Sequence, residues 1–137
     1  MKYLLDTCIV EALLKAELGH ENIRDRIAAA PQGSLAISAL TSVEIWTGIT
    51  GAREPRAKRL AFEACLKLMR VTAFDAAARQ AFVIQRYVRQ TGQQIGRTDP
   101  LIAAQAIAMD AVCVTDNLRH FLRIPGLVVE NWLQPSG

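Results

Sequence analysis

The chain has 137 residues, 51% of them hydrophobic, which is enough for one folded domain over residues 1–137 with its own core and excludes a disordered segment. No apolar run approaches the roughly 18 residues of a membrane span. Asp6 and Glu11 interrupt the stretch that a secretory signal would need, so we expect a cytoplasmic protein without a membrane anchor.

The net charge of +3 is too small to identify a nucleic-acid-binding protein, but its distribution is uneven. Residues 53–70 carry six basic and two acidic side chains, and residues 76–98 carry four arginines and no acid. This positive middle segment is either a surface for an anionic partner or a pair of solvated helix faces.

The first element is the apolar run Lys2–Leu5, which predicts a buried strand ended by the carboxylate of Asp6. Apolar residues then recur at helical spacing, which predicts a helix from Thr7 to about Ala16, ended by Gly19. A second helix is expected near Glu21–Ala30.

The next strand is predicted at Ser34–Ser38, followed by a helix that Thr41 or Ser42 opens and that contains Glu44. Pro55 starts a long helix that is expected to reach about Arg70.

A short strand is predicted at Val71–Phe74, and Asp75 is expected to cap a helix that runs to Gln90. Gly92 and Gly96 bracket a loop.

Asp99 and Pro100 suit the cap and the first position of the next helix. The strongest strand signal is Ala111–Thr115, followed by a helical turn at Leu118–Phe121 and a final strand at Leu127–Val129. Strands that alternate with helices predict an α/β domain with a parallel sheet.

Four acidic residues follow strands or open helices, and we interpret them as one candidate site: Asp6, Glu44, Asp99 and Asp116. The carboxyl ends of parallel strands lie along one edge of a sheet, where ligands bind. The alternative is that each acid only caps a helix, and Thr41 to Glu44 also match a capping box.

If these carboxylates converge, their repulsion requires protons or a cation, and oxygen ligands favour Mg²⁺ or Mn²⁺ over zinc. His20 and His120 are far apart and are expected at the surface. Cys8, Cys65 and Cys113 are odd in number and predict reduced, buried thiols without a disulfide. The hydroxyls near the site either hold a carboxylate or merely end their strands; these are Thr7, Ser38 and Thr115.

Five segments together resemble the PIN-domain ribonuclease toxins of bacterial type II toxin–antitoxin systems, the VapC family, and the resemblance covers nearly the whole chain. The segments are Leu4–Thr7, Ile37–Ile45, Ile95–Ala104, Val114–Phe121 and Ile124–Trp132.

The resemblance implies a three-layer α/β/α fold around a mostly parallel sheet and an endoribonuclease that uses Mg²⁺ or Mn²⁺ to cut tRNA or rRNA. It implies that Asp6, Asp99 and Asp116 bind the metal and that Glu44 positions or deprotonates water. It also implies a homodimer inhibited by a cognate antitoxin, whose C-terminal segment occupies a groove near the site.

One residue departs from the family pattern, because Cys8 stands where an asparagine usually follows the Asp-Thr pair. This departure keeps open a catalytically weak module that binds RNA or protein. A haloacid-dehalogenase-like phosphatase would need an aspartate where Cys8 stands, and a response-regulator receiver would need an acidic pair and a late lysine that are not visible.

Overall fold

The computed structural model describes residues 1–75, 78–92 and 98–135. Its strands are β1 (Lys2–Leu5), β2 (Leu35–Ser38), β3 (Arg70–Thr72), β4 (Ala111–Val114) and β5 (Val129–Glu130). They form one sheet in the order β3-β2-β1-β4-β5, and every neighbouring pair is parallel. The first strand of the chain therefore lies in the centre of the sheet.

Helices connect the strands: α1 (Thr7–Leu14), α2 (His20–Ala29), α3 (Ala39–Thr50), α4 (Pro55–Leu66), α5 (Ala78–Thr91), α6 (Asp99–Ala108) and α7 (Leu118–Phe121). None of the helices in the described ranges combines the length and apolar character that a bilayer crossing requires.

Side chains of the central strands alternate between two hydrophobic clusters, as the two-residue period of a strand requires. Leu5, Ile37 and Val114 pack on one face with buried residues of α1 to α4. Leu4 and Cys113 pack on the other face with α5, α6 and α7. The expected α/β/α layering is confirmed.

Two of the boundaries predicted for the first two helices are wrong. Helix α1 ends at Leu14, two residues before the predicted end, and Ala16 follows with a φ of 50°. Gly19 instead precedes α2 with a φ of 93°, and a Cβ there would lie 2.7 Å from the carbonyl oxygen of Leu133. Glycine is therefore required at this close approach.

Helix α3 begins at Ala39 and not at Thr41 or Ser42, because the Ser38 hydroxyl accepts a 3.1 Å hydrogen bond from the Leu40 amide and caps the helix. Ser38 thus ends its strand and caps the next helix. This contact places it on the structural side of the two roles that we considered.

Helix α4 also differs from the prediction, because it ends at Leu66 and not near Arg70. Arg70 begins β3, where it pairs with Ala36 of β2. Pairing with the sheet edge therefore overrides the helical pattern that the sequence continues.

The later boundaries differ by a few residues. Helix α6 begins at Asp99 itself, with Thr98 in the cap position, and β5 begins at Val129. Helix α5 is described from Ala78, so the predicted start of this helix and the loop near Gly96 fall largely outside the described residues.

Candidate active site

Asp6 lies at the carboxyl end of the central strand, where it caps α1 and is 4% exposed. The Thr7 amide donates a 2.8 Å hydrogen bond to Oδ1, and the Thr115 hydroxyl donates a 2.9 Å bond to Oδ2. Burial first, and then the charge of Asp99, raise the pKa of the Asp6 carboxyl above its ordinary value. Asp6 thus caps α1, and its charged form is disfavoured by burial and by the nearby charge of Asp99.

Asp99 occupies the first position of α6, close enough to Asp6 for the two charges to interact. Its Oδ2 accepts a 3.0 Å hydrogen bond from the Asn117 side-chain amide. Thr98 holds the cap position, so the interpretation of Asp99 as the helix cap is wrong. The Asp99 carboxylate is held by the loop after β4.

Glu44 lies on the exposed side of α3 and is tied to both neighbouring segments. Its Oε1 accepts a 2.8 Å hydrogen bond from the Thr7 hydroxyl and a 3.4 Å bond from the Thr98 hydroxyl. The capping box with Thr41 is absent, because Thr41 lies inside α3 and its hydroxyl is 3.1 Å from that of Thr7. Glu44 therefore bridges the residues adjacent to Asp6 and Asp99.

Asp116 follows β4 beside the end of β1, but the residue is exposed and its carboxylate contacts Asn131, which follows β5. Oδ1 accepts a 3.1 Å hydrogen bond from the Asn131 amide. Asn117, not Asp116, is the cap of α7, so the capping interpretation of Asp116 is also wrong. Of the predicted acids, Asp6 and Asp99 are brought together most directly, and Asp116 is the most separately held.

Cys8 lies half-buried against this cluster. Its Sγ is 3.5 Å from Asp6 Oδ2 and 3.6 Å from the Thr115 hydroxyl, and it accepts a 3.4 Å hydrogen bond from the Asp116 amide. All three cysteines are free, which confirms the expectation of reduced thiols; Cys65 and Cys113 are buried, whereas Cys8 is more exposed than predicted.

Two residues at this edge were not selected from the sequence. Asn117 contacts both Asp99 and His120, and His120 Nδ1 lies 3.7 Å from Asp99 Oδ2. His120 is partly exposed, as expected for a residue near the surface, but its side chain also packs beside the acidic pair. The only sequence signal was its position four residues after Asp116.

The donor atoms of Asp6 and Asp99 suit a hard cation. The part of the chain that the structure describes contains no group of three or more His, Cys, Asp or Glu side chains placed to hold a metal ion. Mg²⁺, however, is commonly bound by one or two carboxylates, with waters and substrate phosphates as its other ligands. The buried Asp6 carboxylate is repelled by the charge of Asp99, and a cation bound there would offset this repulsion.

Comparisons with known proteins show what the whole chain is similar to. The family model of the PIN domain matches residues 3–127. The chain is 32% identical over 136 residues to ribonuclease VapC2 of Rickettsia felis, covering 96% of this chain and 98% of that protein. It is 31% identical over 135 residues to the tRNA(fMet)-specific endonuclease VapC of Salmonella typhimurium, with the same coverage.

Solved structures give the same result. The chain superposes on a chain of the DNA-bound VapBC complex of Salmonella typhimurium with a TM-score of 0.86 at 31% identity, covering 96% of this chain and 98% of that one. The promoter-bound VapBC2 complex of Rickettsia felis gives a TM-score of 0.85 at 29% identity, with 96% and 99% covered.

Proposed function

The chain belongs to the PIN-domain family, and from that membership we propose that it is a Mg²⁺- or Mn²⁺-dependent endoribonuclease, the toxin of a type II toxin–antitoxin pair. The observation that carries the proposal is the coupled pair Asp6 and Asp99 at the carboxyl edge of the sheet. The named ribonuclease relatives support the reaction class. We place this activity in the cytoplasm, where its RNA substrates are.

The side chains at this edge of the sheet have separate proposed roles. Asp6 and Asp99 would hold the cation, and Asp116 would be a further ligand. The bound ion would lower the pKa of water and neutralise charge on the phosphodiester. Thr115 and the Thr7 amide fix both oxygens of Asp6.

Glu44 is the proposed acceptor of the proton from the attacking water. Its Oε1 is fixed by the hydroxyls of Thr7 and Thr98, while the residue itself is exposed and open to solvent. A general base must reach the proton that it abstracts, and an exposed carboxylate at the mouth of the site meets this condition.

We propose structured RNA as the substrate, with tRNA first, because the relatives in Salmonella and Shigella are named for tRNA(fMet). The positive middle segment would supply affinity for phosphates that weakens with salt. Lys58 and Arg59 are paired with Glu11 and Glu63. Arg56, the remaining basic residue of α4, has no ion pair within the described ranges and is the better candidate for this contact.

The proposed protein partner is a cognate antitoxin, because the matching structures are VapBC complexes. An apolar cavity of about 850 Å³ opens among α1, α2 and α4, lined by Leu13, Ile27 and Leu68. It offers a surface for an apolar antitoxin segment. We further propose a homodimer, and the exposed side chains of Phe82 and Val83 on α5 supply apolar surface for it.

The test is cleavage of total RNA and of initiator tRNA by the purified chain. We expect cleavage with Mg²⁺ or Mn²⁺, none with chelator, and a loss of at least about 100-fold in Asp6→Asn and Asp99→Asn. An Asp25→Asn variant, which changes an exposed acid of α2, is the matched control and should cleave normally. Full cleavage by either site variant would contradict the assignment.

One observation favours a second candidate, a PIN-like module that binds RNA or protein without cutting it. Cys8 places a sulfur atom 3.5 Å from the Asp6 carboxylate, where the family usually has an amide. Cleavage that starts with Mg²⁺ and stops with chelator would exclude this candidate, and RNA binding without cleavage would favour it.

A further inference from the structure

The side-chain amide of Asn117 lies between two acceptors. Its Nδ2 is 3.0 Å from Asp99 Oδ2 and 3.0 Å from His120 Nδ1. An amide nitrogen carries two hydrogens, which is enough to donate to both atoms. The opposite orientation would place the amide oxygen against the Asp99 carboxylate.

This arrangement decides which imidazole nitrogen carries the hydrogen. With the nitrogen of the Asn117 amide directed at both acceptors, Nδ1 accepts a hydrogen bond and Nε2 is the ring nitrogen that carries a hydrogen. The 3.7 Å separation between Nδ1 and Asp99 Oδ2 is too long for a hydrogen bond. The contact with Asn117 therefore fixes the orientation of the imidazole ring of His120.

The Nε2–H group has no protein acceptor within the described ranges, and the His120 side chain is 33% exposed. The partly exposed ring thus carries, beside the acidic pair, a donor that no described protein acceptor uses. Carboxylates repel an approaching phosphate, so a hydrogen-bond donor at this place adds attraction where Asp6 and Asp99 supply none.

We propose that His120 is a substrate-binding residue, whose Nε2–H donates to a non-bridging phosphate oxygen of the RNA next to Asp99. The proposal deepens the ribonuclease function and rests on it for the identity of the ligand. Nothing in this role requires Cys8 or the positive middle segment.

Two substitutions separate this role from a structural one. In His120→Gln the side-chain amide reaches the place of Nε2, whereas in His120→Asn the amide oxygen takes the place of Nδ1. If His120 donates to RNA, glutamine restores the contact. If His120 only supports Asn117, asparagine restores it. His20→Asn changes the other histidine, which contacts Glu17 and Glu21, and is the matched control.

Binding is measured on a labelled initiator tRNA transcript, with every variant carrying Asp6→Asn to prevent cleavage. We expect His120→Asn to raise the dissociation constant about tenfold or more. His120→Gln should recover most of that loss, and His20→Asn should not change it. Thermal unfolding confirms that each variant is folded.

Equal loss in both His120 variants, or loss with glutamine alone, would overturn the proposal. Absence of transcript binding by the Asp6→Asn parent would overturn it as well. The expected ranking in a chain that never cleaves RNA would leave the His120 site standing and remove the ribonuclease function. Cleavage without the ranking would do the reverse.

The hydrogen position has its own test. Nitrogen NMR of the free protein should show His120 with a protonated Nε2 and an unprotonated Nδ1, and the Nε2 resonance should shift when the transcript is added. A proton on Nδ1 alone would overturn the proposal.

Discussion

Thr115 donates a 2.9 Å buried hydrogen bond to Asp6 Oδ2 across a separation of 109 residues. The same hydroxyl accepts a 3.0 Å hydrogen bond from the backbone amide of Asn117. One side chain therefore connects the end of β1 to the loop after β4, the loop that also holds Asp99. The geometry of the acidic pair depends on this connection.

Thr115→Val should destabilise the protein by about 1–3 kcal/mol, because it removes the donor to a buried carboxylate and leaves the Asn117 amide unpaired. Urea denaturation measures the free energy of unfolding. Thr91→Val is the matched control, since the Thr91 hydroxyl is exposed and bonds only its own helix, and its effect should stay within about 0.5 kcal/mol. Equal effects of the two changes would contradict the role given to Thr115.

Stability in chelator should depend on pH through Asp6. Because the pKa of this carboxyl is raised in the folded protein, the folded state holds the proton more tightly than the unfolded chain does. The contribution to stability is complete below the ordinary pKa of 3.8 and is lost as pH rises through the higher folded value. Asp6→Asn should remove this decline. Parallel curves of unfolding free energy for the two proteins from pH 4 to 7 would show that Asp6 does not titrate in this way.

Mg²⁺ should stabilise the wild-type chain against heat, since an ion at the proposed site of Asp6 and Asp99 would bind the folded state alone. At a concentration 100 times its dissociation constant, the gain is about 2.7 kcal/mol. Differential scanning fluorimetry with Mg²⁺ and with chelator measures the shift of Tm. Asp99→Asn should lose most of the shift while Asp25→Asn keeps it; the same shift in both would place the ion elsewhere.

Cys8 should react slowly with alkylating reagents despite its partial exposure. Burial, and then the charge of Asp6, raise the pKa of its thiol from 9.0 to about 11. The reactive thiolate at pH 8 is therefore about 100-fold scarcer than at an ordinary cysteine. Mass spectrometry after timed iodoacetamide treatment, with the urea-unfolded chain as control, measures the rate. Labelling as fast in the folded state as in urea would contradict the assigned environment.

The fold was largely predictable, because its strands are short apolar runs and its helices have regular apolar spacing. The errors lie where tertiary contacts decide. Arg70 continues a helical pattern but pairs with Ala36 at the sheet edge. Ser38 caps α3 although Thr41 and Ser42 have equally suitable hydroxyls. Sequence spacing alone does not distinguish these alternatives.

The proximity of Asp6 and Asp99 agrees with the prediction, whereas Asp116 is held apart and the partners of these acids were not predicted. The strand order puts β1 beside β4, so Asp6 and the loop after Val114 share one edge. The neighbours of Asp99 depend on the path of that loop, which places Asn117 and His120 there. An asparagine and a histidine in a short turn carry no pattern that predicts this contact.

The central position of β1 has a consequence for how the protein is made. Its neighbour β4 and the hydroxyl that holds Asp6 belong to residues 111–115. A ribosome synthesises the aspartate early and its support more than a hundred residues later. A polypeptide that stops before Thr115 therefore lacks the strand and the hydroxyl that hold Asp6, and the acidic pair is assembled only after β4 has been synthesised.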